Sequence, residues 1–149
     1  MNPPSTWSRN IPATNDQVRE ARHFIAAILS GHPAADAAVS CVSELAANAS
    51  THSRSALPGG SFTVRLRRSG PAIRIEVKDD GGPWRSQPVD PEHGRGLLII
   101  QALSSRCGIC VKGSRANPDE RTVWFEIDPP HYARRRMTPA PQPALPPPA

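Results

Sequence analysis

The chain has 149 residues, a net charge of +5, 18 prolines and only 5% aromatic side chains. That length suits one compact domain able to bury a core without disulfide staples. No apolar run approaches the ~20 residues of a membrane-crossing helix, and the scattered basic charge has no aromatic platform or groove-reading motif beside it, so neither membrane insertion nor nucleic-acid binding is expected.

Residues 1–13 are polar and Pro-containing and read as an N-terminal extension, in which "TWSRNIPA" offers a short strand anchored by Trp7. Thr14-x-x-Gln17 reads as a capping box. Val18, Ala21, Ile25, Ile28 and Leu29 then recur at helical spacing, which predicts a first helix over 15–30, stopped at Gly31. Pro33 suits the first turn of a second helix over 34–53. Its Val39, Val42, Leu45, Ala46 and Ala49 share one broad apolar face, with Glu44, Asn48 and His52 along the border.

"LPGG" at 57–60 ends that pattern, and period-two alternation begins. Phe62, Val64 and Leu66 alternate with Thr63, Arg65 and Arg67, and Ile73, Ile75 and Val77 with Arg74, Glu76 and Lys78. Two half-buried strands joined by "SGP" make an antiparallel hairpin with a charged, solvated face. Residues 79–96 hold four glycines and three prolines, and a loop this long within a compact domain is usually functional. "LLIIQALSS" resumes as a helix after Gly96. Strands are expected at "GICVKGS" and at "RTVWFEI", where Val123, Phe125 and Ile127 alternate with Thr122, Trp124 and Glu126.

Three cysteines, Cys41, Cys107 and Cys110, and no leader-like segment lead us to expect a reducing, cytoplasmic setting. Cys107-Gly-Ile-Cys110 has CxxC spacing, but no second pair completes a tetrahedral zinc site, and small strand residues are the better reading. The segment 129–149 is Pro-rich and cannot form a core. Residues 14–128 should therefore fold as an α/β two-layer sandwich, with a mixed, largely antiparallel sheet covered on one face by helices.

Three stretches carry chemistry. Glu44 and Asn48 are one helical turn apart, so an acid and an amide can serve one site, both as oxygen ligands to a hard divalent cation or one as a ligand and one as a base. Alone, that stripe is the ordinary polar edge of a buried helix face. Asp79 ends a strand, where its carboxylate can accept from an exocyclic amine such as adenine's. Gly81 and Gly82 let a ligand approach the backbone. Alone, that stretch is a tight turn. Gly94 and Gly96 straddle Arg95 at a helix start, where free N–H groups favour an anion and Arg95 can meet a phosphate or a partner's acid. Neither a Rossmann fingerprint nor a Walker loop is present.

In order and spacing these stretches resemble the histidine-kinase-like ATPases, the superfamily of gyrase, MutL and the heat-shock chaperone ATPases. More narrowly they resemble the bacterial anti-sigma-factor serine kinases in their actinobacterial form. "SELAANASTH" is similar to the Glu-Leu-x-x-Asn-Ala-x-x-His box, "DDGGPW" to the first glycine box, "HGRGLLII" to the second and "TVWFEI" to the closing strand. The resemblance covers about residues 7–128. It implies the ATP-binding fold of that superfamily, with ATP and Mg²⁺ as cofactors. Asn48 would hold Mg²⁺ and Glu44 would be the general base. Asp79 and Gly81, with Gly82, would receive the adenine. Gly94, Arg95, Gly96 and Leu97 would present amides to phosphate, and Thr122 would lie near the base or phosphates. The segment 83–93 would be a lid. The implied activity is transfer of the γ-phosphate to a serine of an antagonist protein, with a sigma factor as a second partner and a homodimer as the assembly. The alternative is a partner-switching module with weak catalysis. One departure bears on the site: Glu120 and Arg121 stand where the family usually has a glycine before the closing-strand Thr.

Overall fold

The sheet is built by apolar alternation. The computed structural model describes residues 3–52, 57–81, 95–111, 113 and 115–128, with the side chains of His52 and 95–97 outside the description. It holds strands β1 (Ser5–Pro12), β2 (Ser61–Ser69), β3 (Ala72–Asp79), β4 (Arg106–Cys110) and β5 (Arg121–Ile127), and helices α1 (Val18–Ile28), α2 (Ala35–His52) and α3 (Arg95–Leu103).

The strands lie in the order β1-β2-β3-β5-β4. All four pairings are antiparallel, so the sheet expected to be mixed contains no parallel pair. The reason is the path after β3. The chain crosses through α3 to β4, which runs in the same direction as β3, and β5 then inserts between them. The β2–β3 hairpin turns on Gly70 and Pro71, Gly70 at φ +58°, a value that favours glycine.

One sheet face is apolar: Phe62, Val64 and Leu66 of β2, Ile73, Ile75 and Val77 of β3, and Phe125 and Ile127 of β5 are all buried. Ala34, Ala37, Ala38, Val42, Leu45, Ala46 and Ala49 of α2 and its start are buried in the same core. These small side chains let α2 lie close over β2 and β3. Cys41 is buried among them, and its burial pushes the thiol up to about 12, so it stays a neutral, small apolar residue.

Several local expectations change. Thr14 makes no side-chain cap; its carbonyl accepts from the Gln17 N–H at 2.9 Å. The helix thus opens as a 3-10 turn over Asn15–Gln17, because a tighter i→i+3 turn satisfies the same donor. The extension is a full edge strand, and Ile11 is its buried anchor while Trp7 is 37% exposed. The expected strand at 108–114 lies instead at Arg106–Cys110. There Cys107 pairs with Phe125 and Cys110 with Thr122, which puts the two thiols on opposite faces, as a three-residue step in a strand must. Among the described residues no helix is long and apolar enough to cross a membrane.

The outer face carries the alternate charged residues. Arg74 bonds Glu76 at 2.9 Å and Glu126 at 2.7 Å, and its guanidinium lies 4.2 Å from the Trp124 ring centroid. Arg106 adds a 2.8 Å bond to Glu126. Burial works against the Glu126 charge, but the hydrogen bonds from Arg74 and Arg106 prevail and hold its carboxyl below the usual range.

Candidate functional site

The second helix supplies one wall. On α2 the buried positions leave Glu44 and Asn48 half-buried, a turn apart on the same edge. Neither side chain makes a hydrogen bond or ion pair among the described residues. Ser50, on the next turn, is buried, and its hydroxyl has no partner among the described residues either.

The sheet supplies the other wall, and it is built differently. Asp79 continues the apolar series Ile73, Ile75 and Val77, so its carboxylate sits on the helix-covered face at the end of β3. Opposite it in the β3–β5 register is Arg121. The Arg121 guanidinium donates through Nη2 to Asp79 Oδ2 at 3.0 Å, with the Arg side chain 7% and the Asp side chain 3% exposed. The other carboxylate oxygen, Oδ1, accepts from the Gly81 N–H at 2.7 Å. Both oxygens of the strand-end acid are thus held by donors of the chain itself.

The turn after β3 is equally closed. Gly81 has φ +65°, and a Cβ there would collide with the Asp119 carbonyl. Glycine is required here because of the positive φ and because Asp119 packs onto the backbone. Asn117 fastens that contact, donating from Nδ2 to the Asp80 carbonyl at 3.2 Å.

Thr122, expected near the base or phosphates, pairs with Lys78 and Cys110 and lies on the outer face of the sheet. The strand alternation gives the inward position to Arg121. Glu120 also turns outward, to Lys78 at 3.2 Å, so its charge does not enter the site. Gly82 and Gly94 lie outside the described residues. Arg95, Gly96 and Leu97 form the first turn of α3, which leaves the leading backbone N–H groups without intrahelical acceptors. The described residues therefore bring Asp79 and Gly81 together with Arg121, and place Glu44 and Asn48 on the helix that covers the same sheet.

The family model of the histidine kinase-like ATPase domain matches residues 11–127. The chain belongs to this family. No curated protein matches the chain. The family's ligand is ATP, so this ATPase-domain chain is an ATP-binding regulatory protein, and the antiparallel sheet with helices on one face is its fold.

The two walls of this domain fit ATP unequally. Glu44 and Asn48 offer oxygens that no residue of the described chain occupies, and an acid with an amide suits a hydrated cation or a transferable proton. The sheet wall, where the resemblance puts the base, is closed in the arrangement observed. Its acid is paired with Arg121, and the space beside Gly81 is filled by Asp119. Arg121 is the residue that sequence reasoning missed as a partner of Asp79. That Glu120 and Arg121 stand where the family usually has a glycine was visible in the sequence, but the β3–β5 register that aims Arg121 at Asp79 was not.

Proposed function

We propose that this chain is a protein serine/threonine kinase of the anti-sigma-factor type, which phosphorylates a serine of an antagonist protein and sequesters a sigma factor. The observation that carries the reading is the pair Glu44 and Asn48, half-buried, a turn apart and unengaged, on the helix over β3 of an ATPase-family domain. In this reading the protein works in the cytoplasm as a homodimer.

Asn48 would hold Mg²⁺ through its side-chain oxygen, and the ion would supply charge neutralisation to the phosphates. Among the described residues no three His, Cys, Asp or Glu gather into a metal cluster. An amide ligand suits Mg²⁺, which keeps several waters and takes few protein ligands besides phosphate. Glu44 takes the proton of the attacking serine hydroxyl while the γ-phosphoryl group passes to that oxygen and ADP departs. The first turn of α3 presents N–H groups to the phosphates. Such transfers rest mostly on positioning and charge neutralisation, which these residues provide.

The test is phosphoryl transfer from radiolabelled ATP to the antagonist protein. Glu44→Ala is expected to keep ATP binding and lose transfer; transfer at the wild-type rate removes Glu44 as the base. The Asp79–Arg121 pair favours a second reading, a partner-switching module with weak catalysis. Capture of a partner in a nucleotide-dependent way, with no transfer, selects it.

A further inference from the structure

We propose that Arg121 is an internal competitor for the base end of the nucleotide site: it occupies the acid that would otherwise receive an adenine amine, and so sets both the affinity and the base selectivity of this domain. The proposal rests on the reading of Asp79 as the base-facing acid of an ATP site.

The chemistry follows from hydrogen-bond inventory. A carboxylate is acceptor-only, and the adenine 6-amine is a donor. Asp79 Oδ1 is taken by the Gly81 N–H and Oδ2 by Arg121 Nη2. An entering amine therefore meets an acid whose charge is already balanced, and must share it with Arg121 or displace the guanidinium. Three observations make Arg121 a built part of the pocket rather than a surface arginine that strays inward. Its register opposite Asp79 is fixed by the β3–β5 ladder. Its side chain is 7% exposed. The adjoining turn is closed by Asp119 against Gly81 and by Asn117 bonded to the Asp80 carbonyl.

Binding is weakened because the free protein is already satisfied, and selectivity because a balanced acid distinguishes poorly between a donor amine and the carbonyl of guanine. Replacing Arg121 leaves a buried carboxylate in need of a donor. A purine with a 6-amine supplies one at its 6-position, and a purine with a 6-carbonyl or nothing there does not.

The test uses the full chain in three forms, wild type, Arg121→Gln and Arg121→Thr, each checked for native fold by circular dichroism. Gln keeps most of the volume and an amide donor without the charge, which guards against loss of folding in the Thr form. ATP, GTP and purine riboside triphosphate are titrated by calorimetry in the presence of Mg²⁺. The expected result is ATP affinity raised about tenfold or more in Arg121→Thr, equivalent to ~1.4 kcal/mol, less in Arg121→Gln, with GTP and the unsubstituted purine unchanged. If wild type binds ATP and the folded variants bind it equally or more weakly, the competitor role is overturned and the nucleotide site stands. If ATP affinity rises and the other two purines rise in parallel, Arg121 acts on general access and base selectivity is overturned. If no form binds any of the three, both the proposal and the nucleotide reading fall.

Discussion

The two walls of the candidate site obey opposite rules. On the sheet, the strand-end acid is buried and both its oxygens are held from within the fold, by Arg121 and by the Gly81 N–H. On the helix, Glu44 and Asn48 are half-buried, and no described residue engages them. Buried polar groups must find partners within the fold, while half-exposed ones can be held by water until a ligand replaces it. The sheet wall therefore contributes to folding, and the helix wall keeps its polar groups open among the described residues.

The largest effect should come from breaking the sheet wall. Asp79→Ala removes the carboxylate that bonds Arg121 and the Gly81 N–H and should cost about 3–5 kcal/mol of stability in urea unfolding, the range for breaking a buried ion pair. A loss under about 1 kcal/mol would mean the pair is solvated and the contrast false. Next is Gly81→Ala, which meets both the positive φ and the Asp119 carbonyl. It should destabilise by about 1–3 kcal/mol, measured the same way. Arg74→Ala on the outer face removes two half-exposed ion pairs and the Trp124 contact. It should cost about 1 kcal/mol, less in high salt. The smallest change, and one of opposite sign, is Ser50→Ala. It removes a buried hydroxyl with no described partner and should leave stability unchanged or raise it by up to about 1 kcal/mol.

The outer-face network also sets a pH dependence. The Glu126 carboxyl is held below its unfolded range, so its contribution is complete above the unfolded pKa and fades as pH falls through the folded one. Arg74→Ala should flatten the acid limb of the stability curve, which urea titrations across pH 3–6 would show.

How much of this was legible in the sequence differs by element. The hairpin and β5 were readable because period two with one apolar face leaves little choice: Ile73, Ile75 and Val77 face one way or the strand does not pack. The family motifs made the ATPase fold readable, and the match over residues 11–127 supports it. The insertion of β5 between β3 and β4 was not readable, since antiparallel neighbours distant in sequence leave no local signal. That one fact decides the sheet wall, for it sets Arg121 opposite Asp79 and turns Thr122 outward. The anchor of β1 was misjudged, because its buried residue is Ile11 near its end and not the more conspicuous Trp7. The failed capping box at Thr14 shows a local motif overruled by a competing backbone turn.

The central claim is that the open helix wall is where this ATPase-family domain engages its Mg²⁺-nucleotide. The direct measurement is ATP calorimetry with and without Mg²⁺ on the wild type and on Asn48→Ala, with urea stability measured on both. The account predicts Mg²⁺-dependent ATP binding in the wild type, its loss in Asn48→Ala, and stabilities equal within ~0.5 kcal/mol. Unchanged ATP affinity in a folded Asn48→Ala protein would contradict it.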